Sequence, residues 1–82
     1  MTYGIYAVKD AKTAFMPCTV DYNNDSAIRN FEHAVRTPDS LMASHPGDYA
    51  LYRLGTYDTE TGMITVDDLP VQIADAAAIV RK

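Results

Sequence analysis

Eighty-two residues make one compact domain, residues 1–82, and at this length folding buries only about two thirds of the surface that the unfolded chain exposes. Apolar residues at 48% and charged residues at 22% exclude a disordered chain. Eleven acidic side chains against seven basic ones leave a net charge of -4, which disfavours nonspecific attraction to a phosphate backbone, and no apolar run approaches the ~18 residues of a membrane span.

The single Cys18 has no internal disulfide partner, and the opening MTYGIYAV lacks the basic and long apolar regions of a secretory signal. A reducing, cytoplasmic setting is expected. In TYGIYAVK (2–9), alternation puts Tyr3, Ile5 and Ala7 on one side of a strand and Gly4, Tyr6 and Val8 on the other. After a polar turn at Asp10–Lys12, TAFMPCTV (13–20) reads as a second strand interrupted at Pro17. Proline donates no N–H, so this strand belongs at a sheet edge or carries a bulge.

NNDSAIRNFEHAVR is the clearest element. Ala27, Ile28, Phe31, Ala34 and Val35 share one helical face, Asn24 or Asp25 can cap the start, and Pro38 ends the run. Arg29, Glu32 and Arg36 have salt-bridge spacing on the solvated side. PDSLMASHPGD (38–48) is rich in turn formers and reads as an irregular connector with Leu41 and Met42 tucked inward. YALYRLGTY (49–57) and GMITV (62–66) form a hairpin around DTET, with Gly62 suited to a positive φ. In DDLPVQIADAAAIVRK an aspartate can cap a final helix with Ile73, Ala76, Ala77 and Val80 on one stripe and Arg81 and Lys82 near its end.

The order strand, strand, helix, strand, strand, short helix predicts an α+β fold. It is a four-stranded, mainly antiparallel sheet with one amphipathic helix packed on it and a short C-terminal helix. Because the strands are apolar on both sides, the face away from the main helix needs cover from the last helix or from a second copy, so a homodimer is expected.

Little here carries catalytic chemistry. His33 and His45 lack metal-ligand spacing, Cys18 has no adjacent cation and reads as a buried structural thiol, and Asp67 and Asp68 look like helix-start residues. No nucleophile elbow or phosphate-binding loop is present. No enzyme, cofactor or metal is expected. The six tyrosines (3, 6, 22, 49, 52 and 57) are more informative. Half-buried strands favour tyrosine anyway, yet a sheet bearing aromatics beside cations is also how small folds stack single-stranded bases. The candidate binding residues are Lys9, Lys12, Tyr6, Tyr52, Arg53 and Tyr57, for DNA or a protein partner. On a regular strand Tyr49, Leu51 and Arg53 share one face and Ala50, Tyr52 and Leu54 the other. Tyr52 and Arg53 therefore cannot both line one ligand surface.

The succession YAVKDAK, AFMP, NDSAIRNFEHAV, HPGDYALYRLG and YDTETGMI, across residues 3 to 66, resembles the small nonstructural protein of gokushovirus-type microviruses, which are single-stranded DNA phages. The tail beyond Val66 shows no such likeness. The resemblance implies a phage accessory protein, absent from the capsid, that acts in the host bacterial cytoplasm during replication or packaging of a single-stranded DNA genome. A DNA-binding role is implied by analogy with the small protein that switches other microviruses from duplex replication to packaging. Where members often carry an acidic residue, this chain has Gly47. Two functions follow as expectations: a replication accessory that contacts single-stranded DNA or the replication machinery, or a non-enzymatic adaptor that binds a host or phage protein and no nucleic acid.

Burial of Phe31 is worth roughly 1.5 to 3 kcal/mol before entropy is subtracted. Phe31→Asp should unfold the domain, seen as loss of the far-UV circular dichroism signal at room temperature.

Overall fold

The computed structural model describes residues 1–81, and Lys82 lies outside the described residues. Strands β1 (Thr2–Asp10), β2 (Thr19–Asp21), β3 (Tyr49–Asp58) and β4 (Ile64–Asp75) form one sheet, with helices α1 (Asn24–Arg36), α2 (Leu41–Ser44) and α3 (Ala76–Val80). The strand order is β2-β1-β3-β4 and every pairing is antiparallel. This is the α+β arrangement expected from the sequence.

The main core cluster lies on one side of the sheet; Ala7, also buried, lies on the other. Ala27, Phe31 and Val35 of α1 meet Tyr6, Tyr49 and Leu51 of the strands and Ala76 and Ile79 of α3, with Ile28 and Met42 packed at the margin. The amphipathic pattern of α1 thus selects its buried face. Asn23, one residue earlier than the two expected caps, accepts from the Ser26 N–H at 2.8 Å. The charged side of α1 forms no ion pair among the described residues. Instead Arg36 donates to the Ile79 carbonyl at 3.2 Å, which ties α3 to the end of α1.

Tyr6 is the pivot of this core. It is 1% exposed, and its hydroxyl donates to Asn24 Oδ1 at 2.8 Å, joining β1 to the first turn of α1. Its ring lies back along its own strand over Gly4, where an added Cβ would overlap the ring. Gly4 is therefore needed for its missing side chain.

Several local expectations are revised. The second strand is only Thr19–Asp21; residues upstream touch β1 through a lone bridge between Lys9 and Phe15. Pro17, lacking a donor, interrupts the ladder. Cys18 is exposed rather than buried. The connector at 38–48 contains α2 and a 3₁₀ turn at Pro46–Asp48; Met42 reaches the core but Leu41 is exposed. Gly62 takes φ +76° in the hairpin turn, as expected.

The largest revision is β4, which continues through the segment assigned from sequence to a helix start. Between the pairs Arg53↔Val71 and Gly55↔Val66, residues 67–70 bulge outward. An edge strand tolerates Pro70 there because no partner needs its N–H. The final helix begins only at Ala76, where Asp75 accepts from the Ala77 N–H at 3.1 Å. Ile73 belongs to β4, Ala76 and Ile79 are buried, and Val80 is exposed.

Gly4→Ala should destabilise the domain by about 1–3 kcal/mol, the usual effect of overpacking. Urea unfolding measures it. Gly47→Ala is the control, since nothing lies within 4 Å of an added Cβ there.

Candidate nucleic-acid interface

Cross-strand partners share a face, so the register tells which side chains stand on the side without helices. In β1 they are Tyr3, Ile5, Ala7 and Lys9, opposite the core-facing Gly4, Tyr6 and Val8. Tyr52 pairs with Ala7, Tyr57 with Tyr3, Val20 with Ile5, and Phe15 with Lys9. The last helix packs beside α1 in the core and leaves this face open.

Two aromatic clusters stand on it. Near the start of β3, Phe15 meets Tyr52 edge-on, with centroids 5.3 Å apart and an interplanar angle of 78°. Lys9 Nζ lies 5.6 Å from the Phe15 centroid, within cation–π range. The Tyr52 hydroxyl donates to Gln72 Oε1 at 3.3 Å. At the other end, Tyr3 and Tyr22 meet edge-on at 5.5 Å and 84°, beside Tyr57 by register. Such edge-to-face pairs hold rings in place and leave ring faces free for a third π-system.

Tyr57 reaches this face because of a bulge. Between the pairs Tyr6↔Arg53 and Ile5↔Gly55, Leu54 is the extra residue in β3. Strict alternation along β3 would put Tyr57 with Arg53, and one extra residue reverses that. Gly55 permits the close approach of β4, since its missing Cβ makes room for the Thr65 carbonyl.

The six residues singled out from sequence therefore separate. Lys9 and Tyr52 come together with Phe15, and Tyr57 shares their face at a distance. Tyr6 is removed from the set: it is in the core and offers no ring to a ligand. Lys12 is exposed in the turn, where its N–H donates to Asp10 Oδ1 at 2.9 Å. Arg53 faces the helix side by its pairing with Tyr6 and is held by Asp67, with Nε 3.1 Å from Oδ2 and Nη2 3.4 Å from Oδ1. The Nε contact lacks hydrogen-bond alignment, so the pair is held mainly by charge. Asp67 is thus a strand-bulge counter-ion and not a helix-start residue. Phe15 and the tyrosines Tyr3 and Tyr22, noted among the sequence's six but outside the candidate set, complete the face. Nothing local in AFMP shows that Phe15 lands on Tyr52, because that contact joins residues far apart in the chain.

Asp21, at the end of β2, pairs with Gly4 on the helix side and anchors the start of α1. The Ser26 hydroxyl, the Tyr22 N–H and Asn30 Nδ2 all donate to Asp21, at 2.7, 2.8 and 2.7 Å. The Ser26 bond above all, with the other two and the nearby Arg29 charge, holds its carboxyl below the usual range against the opposing effect of burial. Burial pushes the Tyr6 phenol up, opposed by the Arg53 charge and reinforced by Asp21. Among the described residues no three His, Cys, Asp or Glu side chains are placed to hold a metal ion. No helix in them is long and apolar enough to cross a membrane.

A two-layer α+β protein with helices on one face of an antiparallel sheet and an aromatic open face on the other is the class that fold and surface define. Within that class the chain belongs to a phage family: the family model described as Phage ORF5 protein matches residues 3–79. The likeness thus extends beyond Val66, through the tail that showed none in the sequence, to α3. No curated protein and no solved structure matches.

A carboxyl held low in the folded state stabilises the fold above its unfolded-state pKa and loses that contribution as pH falls through its folded value. Asp21→Asn should therefore lower stability at pH 7, by about 1 kcal/mol for these solvent-screened bonds. The gap to wild type should close as pH drops below the carboxylate range. Thermal melts across acid pH test this; a gap independent of pH would overturn the assignment.

Proposed function

We propose that this phage protein is a non-enzymatic accessory of viral genome replication or packaging that takes single-stranded DNA onto the open face of its sheet. It acts in the cytoplasm of the host bacterium. The observation that carries this is the pairing of Lys9, Phe15 and Tyr52 on a face that no helix covers. Its resemblance to microvirus nonstructural proteins supplies the setting, since those phages carry single-stranded genomes.

The physical argument is one of stacking more than charge. Every base has a π-face, and stacking on an aromatic side chain is worth about 1–3 kcal/mol per base. A net charge of -4 works against long-range attraction, so affinity rests on rings, with Lys9 placed for a phosphate. The two clusters lie toward opposite ends of the face, so a strand contacting both would run along the sheet.

A second use of the same chain is favoured by its acidic charge and by the apolar side chains exposed on β4, including Val66 and Leu69. In that case the protein is an adaptor for a phage or host replication protein and binds no nucleic acid.

Fluorescence anisotropy with a labelled oligothymidine at low salt separates the two. Tyr52→Ala and Phe15→Ala should each weaken binding by about 5- to 150-fold, the equivalent of about 1–3 kcal/mol. Lys9→Ala should reduce the salt slope by about 0.7. Absence of any binding at micromolar protein and low salt would overturn the DNA proposal and leave the adaptor.

A further inference from the structure

The β3–β4 hairpin continues past the end of the helical layer. On its β4 side Met63, Ile64, Val66, Leu69 and Val71 are 66%, 62%, 74%, 75% and 51% exposed. They do not lie on one face. Ile64 and Val66 stand on the open side, through their pairs with Tyr57 and Gly55, whereas Val71 pairs with Arg53 on the helix side. Leu69 projects from the bulge, in a groove shared with Asn24, Arg53 and Val71. β4 is also the sheet's outer strand, with one row of backbone groups unpaired by any neighbour. The bulge with Asp68 and Pro70 interrupts this edge, and the apolar residues on either side of it are left open in a way that single-chain proteins avoid.

The size of the exposed surface points to what covers it. The chain exposes 5473 Å², whereas a compact monomer of 9.0 kDa exposes about 4,850 Å². The excess, about 600 Å², approaches the ~800 Å² that each partner contributes to a stable interface. Shape agrees: the radius of gyration is 13.0 Å against about 11.7 Å for a compact chain of this length, and the molecule measures 40 × 22 × 18 Å. The arm, exposed at residues 61–66 and 68–72, shares this excess with the exposed segment 11–20 at the other edge of the sheet.

We infer that the β4 arm is the seam of a homodimer, in which a second copy packs its own arm against residues 63–71 about a two-fold axis. A second copy suits this surface better than an unrelated partner. The apolar arm is present on both molecules, and an antiparallel edge strand is self-complementary about a two-fold axis. Charge in the seam is small: residues 63–66 and 69–73 carry none, Asp67 is paired within its own chain with Arg53, and exposed Asp68 is the one charge that the two-fold must keep apart from its copy. Lys9 and Phe15 lie across β3 from the arm, and Tyr52 pairs with Gln72, just past the seam. The dimer and the DNA-binding function can thus fail separately.

Sedimentation equilibrium from about 1 to about 200 µM should give twice the 9.0 kDa chain mass. Val66→Asp and Leu69→Asp should raise the dimer dissociation constant by more than about tenfold and keep the wild-type circular dichroism spectrum. Leu41→Asp, at a site on α2 that is 66% exposed, should leave the dimer intact. Hydrogen exchange on the wild type guards against misfolded variants: β4 amides in residues 63–71 should slow by about tenfold on raising concentration through the association range. A wild-type chain that stays monomeric across the range, or a dimer whose β4 amides exchange no more slowly than in the monomer, overturns the inference.

Discussion

A mismatch of lengths governs this molecule. A helix rises about 1.5 Å per residue and a strand about 3.3 Å, so the thirteen residues of α1 span about 20 Å while the ten of β3 reach about 33 Å. The helix cannot cover the sheet it packs on. It covers the half containing Tyr6, Tyr49 and Leu51, and with α3 and Met42 closes a core there. Beyond Asn24 the hairpin continues without a second layer, and the opposite face of the sheet has no layer at all. The exposed aromatic face and the apolar arm are both consequences of that geometry.

Within the covered half, one contact sets the position of the helix. The Tyr6 hydroxyl reaches Asn24 only because its ring can lie over Gly4, and Asp21 fixes the same junction through Ser26 and Asn30. These bonds join β1, β2 and the start of α1. Tyr22 follows Asp21 directly, so the junction that orients the helix also places one ring of the Tyr3–Tyr22 pair. Fold and candidate interface share this support, and damage to one is transmitted to the other.

The split between Tyr52 and Arg53 shows how a pleat sorts chemistry. A stretch that reads as an aromatic-and-cation cluster becomes two half-sites facing opposite ways. Arg53 turns to the helix side and is neutralised by Asp67, while Tyr52 finds Phe15 and, through it, Lys9. Arg53 thus serves the bulge in β4, and a different cation serves the open face.

The sequence by itself determined the class of fold, the position of α1, the hairpin with its Gly62 turn, and the separation of Tyr52 from Arg53. Each depends on a local period or a local backbone requirement. Tertiary structure alone decided the rest. Tyr6 and Tyr52 are the same residue type in similar strands, and only the side on which α1 packs makes one core and the other surface. The Leu54 bulge, which moves Tyr57 to the open face, and the continuation of β4 through Asp67–Pro70 depend on pairing with neighbouring strands. The capping aspartate and proline of that segment suit a helix start equally well. Local propensity fixes where a side chain can point, but what it then meets is set by residues far away in the chain.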